Sequence, residues 1–321
     1  MCAPSEGPWA SGLRETLREE ALGQLVGRAR AAFLGLALGD ALGATTEFMT
    51  PDEIRAACGV HRKIVGGGWL GLRPGRVTDD TEMSLCLARA AVGAGGWDLR
   101  AVAEALAGWL RGRPVDVGAT CRRGIRDYML KGQLETPPNE WDAGNGAVMR
   151  VAPVALVSLG DPGLLERRAL EQAHLTHNHP LSDAACVTVG RMVQEAVRGA
   201  SAHALHALTR ELAARHSEFG FRDYQGESSG FVVDTLRTVF HHFFSTATFE
   251  ECLVAVVNQG GDADTTGSIA GALAGAFYGP EALPQRWLDR LDPAVRSEAA
   301  HLAERLVFLS PLAASPAPRH W

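Results

Sequence analysis

Hydrophobic residues recur along this chain at the spacing of an α-helix, and convincing alternating β-strand patterns are hard to find. Between residues 99 and 110, for example, Val102, Leu106, Trp109 and Leu110 fall on one helical face. The same period runs through residues 187–197, 202–214, 231–244, 249–257 and 294–309. The pattern therefore predicts an all-α fold.

Composition and length indicate a globular protein with a large core. The chain has 321 residues, of which 46% are hydrophobic and 21% charged. Residues 1–10 and 312–321 are rich in Pro, Ala and Ser, and no low-complexity linker divides the middle. We predict a partly disordered N-terminal extension at 1–22, one compact domain at 23–311 and a disordered tail at 312–321.

Charge and cysteine usage exclude several classes of protein. The formal charge is −6, so the strong basic excess usual in nucleic-acid-binding proteins is missing. The six cysteines are scattered without a CxxC pair, which argues against a zinc ribbon or a disulfide scaffold. The sequence shows no signal peptide and no apolar stretch of about 20 residues. We expect a cytoplasmic protein, without a transmembrane segment, that is a monomer.

Two predicted helices, at residues 31–40 and 267–277, are unusually rich in glycine and alanine. Each helical glycine costs up to about 1 kcal/mol relative to alanine. Helices that keep so many glycines are expected to lie backbone against backbone in a crowded interior.

The first acidic cluster is Thr78-Asp79-Asp80-Thr81-Glu82, which directly precedes an apolar helix at 83–92. Thr and Asp are favoured helix caps, and acidic residues suit the first turn, so a purely structural role is a serious alternative. A cap needs one such group, however, and this segment offers several.

The second acidic cluster contains Asp262, Asp264 and Thr265, and it also precedes a predicted helix. Two glycines before it allow a tight turn. A calcium-binding loop is not favoured, because there is no third acid and no glutamate at the required distance. Between residues 39 and 47 lie two further acids, Asp40 and Glu47, and each one alone is more simply explained as structural.

Together these segments supply carboxylates and hydroxyls with no cysteine and no clustered histidine. Such oxygen ligands suit Mg²⁺ or Mn²⁺ and argue against zinc. Five or six oxygen ligands exceed what one Mg²⁺ usually takes from a protein, which favours a two-metal site that could orient sugar or phosphate oxygens and activate water. If both clusters serve one site, they must meet in space, and a single domain follows.

Three further motifs carry weaker signals. Residues 66–71 are glycine-rich but lack the GK[ST] ending of a phosphate-binding loop. Gly144-Asn145-Gly146 is a turn signal. His174, His177 and His179 fit neither a zinc finger nor an HExxH motif, so loop or capping roles are favoured, with a ligand contact by one of them as the alternative.

Five segments, in order, resemble motifs of the ADP-ribosylglycohydrolase family: GDALGATTE, GRVTDDTEM, GNGAVMRVAP, LTHNHPLSDA and NQGGDADTTGSIAGALAGA. The resemblance runs from about residue 28 to 279. PVDVGATCRRG and WDAGNG are most similar to the bacterial branch that reactivates dinitrogenase reductase. The resemblance implies an all-helical single domain with a binuclear Mn²⁺ or Mg²⁺ centre at helix N-termini.

The resemblance also implies roles for particular residues. The metal ligands would be Thr78, Asp79, Asp80, Asp262, Asp264 and Thr265. Glu47 would be a ligand or the catalytic acid/base, and Asp116 would hold the substrate guanidinium or ribose or move the proton. The substrate contacts would be Gly66, Gly67, Gly68, Asp142, Gly144, Asn145, Gly146 and His177. Ala119 departs from the pattern, which has a polar Asn at this place.

The implied reaction is removal of ADP-ribose from an arginine side chain of a target protein, for which the branch suggests the nitrogenase iron protein. Control by a PII signalling protein and peripheral attachment at a membrane are features of the same branch. Three alternatives stay open at this point. They are cleavage of a serine-linked or O-acyl ADP-ribose, binding of ADP-ribose without catalysis, and hydrolysis of the diphosphate.

Overall fold

The computed structural model describes residues 8–226 and 228–314, and in this part of the chain the regular secondary structure is helical, with no β-strand. Only two isolated bridges occur there, Gly67 with Leu72 and Gly144 with Phe231. The predicted all-α fold is confirmed. The helices are α1 Pro8–Gly43, α2 Pro51–Cys58, α3 Asp79–Gly93, α4 Leu99–Arg111, α5 Ala119–Lys131, α6 Ala152–Val157, α7 Pro162–His174, α8 Pro180–Val197, α9 Ala202–Arg215, α10 Val232–Ser245, α11 Phe249–Val257, α12 Ala263–Tyr278, α13 Gln285–Leu288, α14 Pro293–Phe308 and α15 Pro311–Ala314.

The predicted disorder of the two ends falls partly outside the described residues, since 1–7 and 315–321 are not among them. Residues 8–22 belong to α1, and 311–314 form α15. The division into extension, domain and tail stays a prediction. Within the described residues no helix combines the length and apolar character needed to cross a bilayer.

Local sequence signals explain where many helices begin. Thr50 and Glu53 form a reciprocal capping box at the start of α2. The side chains of Asp98, Ser201 and Thr248 accept backbone N–H groups at the starts of α4, α9 and α11. These caps satisfy N–H groups that the first helical turn leaves without a partner.

The two glycine-rich helices, α1 and α12, form the centre of the molecule and run antiparallel with their backbones in contact. A Cβ atom added at Gly39 would lie 1.9 Å from the carbonyl oxygen of Gly267, and one added at Gly35 would lie 2.2 Å from that of Gly271. The predicted backbone-to-backbone packing is confirmed. No side chain larger than hydrogen fits at these crossings.

This antiparallel contact determines where the acidic residues meet. Gly43, the last residue of α1, lies against the backbone of Ala263, the first residue of α12. The C-terminal end of α1 and the N-terminal end of α12 therefore share one end of the molecule. Helix α3 begins at the same end, because Asp40 of α1 contacts its first turn.

Candidate metal and catalytic site

The first turn of α3 is capped by a residue from another helix. Asp40 is fully buried in α1, and its carboxylate accepts hydrogen bonds from the backbone N–H groups of Thr78 (3.0 Å) and Thr81 (3.1 Å). The Thr78 side chain makes no cap hydrogen bond. Because Asp40 performs the capping, the carboxylates of Asp79 and Asp80 are left for another role.

In the first turn of α12, the N-cap carboxylate is likewise not used for capping, although a second carboxylate accepts a backbone N–H group. Asp262 occupies the N-cap position, but its carboxylate makes no cap hydrogen bond. Instead, Asp262 Oδ2 accepts a hydrogen bond of 2.7 Å from Asn145 Nδ2, whose second N–H bonds the Thr235 hydroxyl at 2.9 Å. Asp264 Oδ1 accepts the backbone N–H of Thr265 at 2.9 Å.

The two acidic clusters meet, although they lie more than 180 residues apart in the sequence. The Thr265 hydroxyl donates a hydrogen bond of 3.2 Å to Asp80 Oδ2, a residue 185 positions earlier in the chain. One carboxylate oxygen from each of Glu47, Asp262 and Asp264 lies within 4.8 Å of the others. Asp80 Oδ1 is buried and has no hydrogen-bond partner within the described structure. A buried carboxylate oxygen without a protein partner beside converging carboxylates fits a cation site.

Glu47 is held at the edge of this cluster by residues that follow it and by a loop tryptophan. Trp69 Nε1 donates to Glu47 Oε2 at 2.6 Å, and the ring of Phe48 lies 5.3 Å from the Trp69 ring. Phe48 has a φ of 61°, a conformation rare outside glycine, and its N–H bonds the carbonyl of Gly261 at 2.6 Å. The strained segment therefore ties Glu47 to the turn that leads into α12.

The loop before α5 covers the other side of the cluster. The N–H of Gly118 donates to Asp79 Oδ2 at 3.2 Å. Asp116 is half-buried two residues earlier, and one of its oxygens accepts the N–H of Val117 at 2.7 Å. The hydrogen bond from Gly118 therefore places this segment beside Asp79, and the negative charge of Asp116 contributes to raising the pKa of Asp79. The structure thus brings the predicted catalytic pair, Glu47 and Asp116, to the same cluster.

The electrostatics of the cluster are those of crowded carboxylates without counterions. Burial raises the pKa of Glu47 to about 8, with repulsion by Asp262 adding to it, and burial with the charge of Asp116 raises the pKa of Asp79 to about 7. Burial likewise raises the pKa of Asp80 and of Asp264 well above the ordinary range. Across residues 8–226 and 228–314, no Lys or Arg forms an ion pair with any of these carboxylates. Such a set must either take up protons or bind cations.

His177 lies buried against the Gly144–Gly146 turn. A Cβ atom at Gly144 would lie 3.1 Å from His177 Nε2, and one at Gly146 would lie 2.9 Å from Cε1. Burial, with the positive charge of Arg150, lowers the pKa of His177 to about 3, so the ring is neutral. Its Nδ1 is 2.8 Å from the Thr176 hydroxyl, which accepts a hydrogen bond of 2.7 Å from Arg150 Nη2.

The other predicted substrate residues lie around the same end of the molecule. Asp142 is buried and paired with Arg123, while its Oδ2 has no partner in the described structure. Gly66 accepts a hydrogen bond of 3.0 Å from the Thr45 hydroxyl at its carbonyl, and a Cβ at Gly68 would lie 2.1 Å from the Ala44 carbonyl oxygen. The glycine-rich loop, with Gly67 between them, therefore packs directly on the segment that leads to Glu47.

The sequence of the chain is similar to those of known proteins over most of its length. The sequence model of the family described as ADP-ribosylglycohydrolase matches residues 23–315. The chain belongs to the ADP-ribosylglycohydrolase family. It is 54% identical over 285 residues to the ADP-ribosyl-[dinitrogen reductase] glycohydrolase of Rhodospirillum rubrum, covering 89% of this chain and 97% of that protein. It is 32% identical to the ADP-ribosylarginine hydrolase Tri1 of Serratia proteamaculans, covering 88% of this chain and 80% of that protein.

A solved structure supports the same family assignment. The chain resembles an ADP-ribosylglycohydrolase-related protein complex with a TM-score of 0.80 and 35% sequence identity, covering 89% of this chain and 99% of that one. The predicted family membership and fold are therefore confirmed. The ADP-ribosylglycohydrolase family is metal-dependent, and the acidic cluster here has the ligand chemistry to hold a metal.

The sequence patterns alone did not reveal three residues near this family site. Trp69 lies in the glycine-rich segment 66–71, where only the glycines carried a sequence signal. Among the described residues, it supplies the only hydrogen bond to the Glu47 side chain. Arg150 lies within the GNGAVMRVAP motif and is fully buried without a carboxylate partner. A charged residue in an apolar run is a sequence signal that could have indicated a buried arginine here. His179 caps α8 and His174 pairs with Asp183, so these two histidines have structural partners. Thr176 connects Arg150 to His177 and had no sequence signal.

Proposed function

We propose that this protein is a metal-dependent hydrolase that removes ADP-ribose from an arginine side chain of a modified protein. The observation that carries the proposal is the meeting of the α3 and α12 carboxylates at one buried point. Asp40 caps α3 in place of Asp79 and Asp80, and the carboxylate of Asp262 makes no cap hydrogen bond to α12. The similarity to the glycohydrolase of Rhodospirillum rubrum, over nearly the whole of both chains, supports this substrate class.

Two divalent cations, Mn²⁺ or Mg²⁺, are the proposed cofactors. The ligands would be the carboxylates of Asp79, Asp80, Asp262 and Asp264 with the hydroxyls of Thr78 and Thr265. The free, buried Oδ1 of Asp80 and the all-oxygen donor set fit hard cations. When bound, such ions would orient the ribose hydroxyl groups and lower the pKa of water at the site.

Glu47 and Asp116 are proposed as the groups that handle the proton. In the reaction, water adds to C1′ of the ribose, the C1′–N bond breaks, and a proton from the water ends on the arginine nitrogen. A carboxyl group whose pKa lies near neutrality is suited to accept and return that proton, and the pKa of Glu47 is raised to about 8 before any cation is considered. Trp69 Nε1 fixes the orientation of Glu47, and Asn145 fixes that of Asp262.

The ADP-ribose groove is proposed to lie along the Gly144–Gly146 turn and the glycine-rich loop at 66–68. Both N–H groups of the Asn145 side chain are used within the protein, so this residue acts mainly by positioning Asp262. His177 would donate from its ring, and the Asp142 Oδ2 without a protein partner would accept from a ribose hydroxyl. The macromolecular partner would be the nitrogenase iron protein, with a PII protein as regulator. We also propose that the enzyme is a cytoplasmic monomer, attached peripherally to the membrane under regulation.

The decisive experiment incubates the protein with two arginine-linked substrates in MnCl₂ or MgCl₂. One is ADP-ribosylagmatine, and the other is arginine-ADP-ribosylated nitrogenase iron protein. Mass spectrometry of the products distinguishes the reactions, because glycosidic cleavage releases ADP-ribose and cleavage of the diphosphate releases AMP. A serine-ADP-ribosylated peptide and an O-acyl-ADP-ribose, assayed in parallel, test the other linkages.

Matched substitutions connect the activity to the cluster. Asp79→Asn and Asp262→Asn should each lower turnover by at least about a hundredfold, the loss usual for an essential catalytic interaction. Asp52→Asn is the control, because it replaces the same carboxylate by the same amide on the exposed surface of α2. Full metal-dependent turnover by both site variants would refute the proposal, and so would tight ADP-ribose binding by the wild type without release of any product.

A further inference from the structure

Helix α5 carries a cavity of about 450 Å³ on its outer face. The cavity is lined by Val117, Ala119, Arg122, Arg123, Arg126, Asp127 and Leu130. These positions recur at intervals of three and four residues, so they share one side of the helix. The opposite side holds Cys121, Gly124, Ile125 and Tyr128, which are buried. The cavity is therefore open to solvent and faces away from the core.

The cavity is positively charged in a protein whose formal charge is −6. Three arginines line it against one aspartate, and Asp127 is already paired with Lys131 at 2.9 Å. Arg123 is paired with Asp142. In the described part of the chain, Arg122 and Arg126 take part in no ion pair, so their guanidinium groups are available to an incoming anion.

The cavity adjoins the candidate catalytic site through the loop that precedes α5. Gly118, the residue before the helix, donates its N–H to Asp79, while Val117 and Ala119 on either side of it line the cavity. The positive charge of Arg122 also acts on Asp116, lowering a pKa that burial raises. A molecule bound in the cavity would therefore lie beside the carboxylates and not at a remote surface.

His177 and the Gly144–Gly146 turn lie on the side of α5 opposite to Arg122 and Arg126, whereas Arg123 pairs with Asp142, another candidate ADP-ribose residue. A Cβ atom at Gly146 would lie 2.7 Å from Cys121 Sγ, and one at Gly124 would lie 2.6 Å from Thr176 Cα. Both contacts are on the buried face of the helix. Arg122 and Arg126 are thus separated by α5 from His177 and the glycine turn, which argues against the diphosphate of the substrate as their ligand. Arg123 is not part of the assignment, because it is paired with Asp142.

The surface around the cavity has the composition of a protein interface. Leu130, which lines the cavity, is 75% exposed. Two further exposed apolar side chains are close in sequence to residues of this surface: Val115 (43% exposed) precedes the lining residue Val117, and Trp141 (80% exposed) is next to Asp142, the partner of Arg123. Exposed aromatic residues together with arginine are enriched where proteins bind one another. The charge of this surface is complementary to an acidic partner.

We propose that Arg122 and Arg126 bind acidic side chains that flank the ADP-ribosylated arginine of the target protein. The inference rests on the proposed function and adds a selectivity that the acidic cluster itself cannot supply. The arginines would act on the association of the modified protein and not on cleavage of the glycosidic bond. They are specificity-determining residues, because the part of the substrate that they contact does not react.

The test uses three peptides that carry one ADP-ribosylarginine in different surroundings. The neighbours are glutamate and aspartate in the first peptide, serine and alanine in the second, and lysine in the third. The wild type should cleave the acidic peptide with a kcat/KM about five- to tenfold above the neutral one at low salt. The preference should shrink at high ionic strength, because exposed charges are screened by salt.

Charge reversal makes the test specific to these arginines. The double variant Arg122→Glu/Arg126→Glu should lose the preference for the acidic peptide and favour the lysine peptide. The single variant Arg126→Glu, which leaves Arg122 beside Asp116, should keep its turnover of ADP-ribosylagmatine, a substrate without neighbouring residues, within about twofold of wild type. In the double variant, any change that acts through Asp116 should be the same for ADP-ribosylagmatine and all three peptides, so it does not alter the preference. The control Arg210→Glu/Arg215→Glu makes an equal change of charge on α9, where both residues are exposed, and should keep the wild-type preference. A reversal of preference cannot arise from partial unfolding.

Three results would overturn the proposal. The first is an unchanged peptide preference in the double variant. The second is an equal loss of turnover by Arg126→Glu on ADP-ribosylagmatine and on all peptides, which would indicate that this arginine contacts ADP-ribose. The third is a wild type that cleaves all three peptides equally. Failure of the proposed function is a separate outcome, since the wild type would then leave ADP-ribosylagmatine intact.

Discussion

The contact between α1 and α12 predicts that a single methyl group at Gly271 will destabilise the protein. In Gly271→Ala, the new Cβ atom would lie 2.0 Å from the carbonyl oxygen of Gly35 and 2.6 Å from its carbonyl carbon. Both are backbone atoms, so no side-chain rotation can relieve the clash. The two helices must separate by at least about 1 Å at this crossing to reach even a short contact.

The size of the effect follows from two opposing contributions. Overpacking a close-packed interior costs roughly 1–3 kcal/mol, and a clash between two backbones belongs at the upper end. Alanine is more favourable than glycine in a helix by about 1 kcal/mol, which offsets part of that cost. We expect a net loss of about 2 kcal/mol in the free energy of unfolding. With an unfolding entropy near 2 cal/mol/K per residue, this lowers Tm by about 3 °C for a chain of 321 residues.

The assay is thermal and urea unfolding, monitored by circular dichroism, with Gly108→Ala as the matched control. Gly108 lies within α4, and a Cβ atom added there would meet nothing within 4 Å. The same substitution should therefore stabilise the protein by up to about 1 kcal/mol. If Gly271→Ala proved as stable as Gly108→Ala, the close backbone contact between α1 and α12 would be wrong.

Three further measurements test the site and its surroundings. Mn²⁺ or Mg²⁺ at a hundred times its Kd should stabilise the wild type by about 2.7 kcal/mol, which raises Tm by about 4 °C. Asp80→Asn should abolish most of this shift. An equal shift in the variant would contradict the assignment of Asp80 as a ligand. Nitrogen NMR of His177 should show the ring hydrogen on Nε2, since the Thr176 hydroxyl accepts a hydrogen bond from Arg150 and donates its own hydrogen to Nδ1. Thr176→Val should weaken this preference for one tautomer. A wild-type ring with its hydrogen on Nδ1 would refute this chain of hydrogen bonds. Hydrogen bonding to Asp183 raises the pKa of His174, so this pair stabilises the fold at low pH and loses the effect as pH rises through the folded-state pKa. His174→Gln should therefore lower the free energy of unfolding more at about pH 5.5 than at about pH 8.5. A loss of stability that is independent of pH would count against the pairing.

The helical architecture could be predicted from sequence because its cause is local. A stripe of apolar residues at helical spacing buries one face wherever the helix lies, and the starts of α3 and α12 carry acids in the first turn. The close backbone packing of α1 and of α12 was also predictable, since a helix that keeps many glycines loses stability unless another backbone approaches it closely. What the pattern could not give was the partner of each helix or the antiparallel orientation that joins Gly43 to Ala263.

The partners of the acidic residues were harder to predict, because they come from distant segments. The sequence favours a structural role for Asp40 without naming its partner, and only the fold reveals that it caps α3 from α1. Trp69 holds Glu47 across 22 residues, and Asn145 holds Asp262 across 117. Hydrogen bonds of this kind depend on the geometry of the complete fold, and no local pattern encodes them.

The same geometry connects the stability of the fold to its proposed chemistry. The glycines of α1 and α12 allow two helix ends to approach, and that approach gathers carboxylates which repel one another in the absence of cations. Packing energy between the helices must therefore offset electrostatic repulsion at their ends. A substitution that loosens the crossing, such as Gly271→Ala, should weaken cation binding as well as stability, although Gly271 lies seven residues from Asp264. Equal metal affinity in Gly271→Ala and the wild type, measured by calorimetry, would show that the acidic cluster is held together without the crossing.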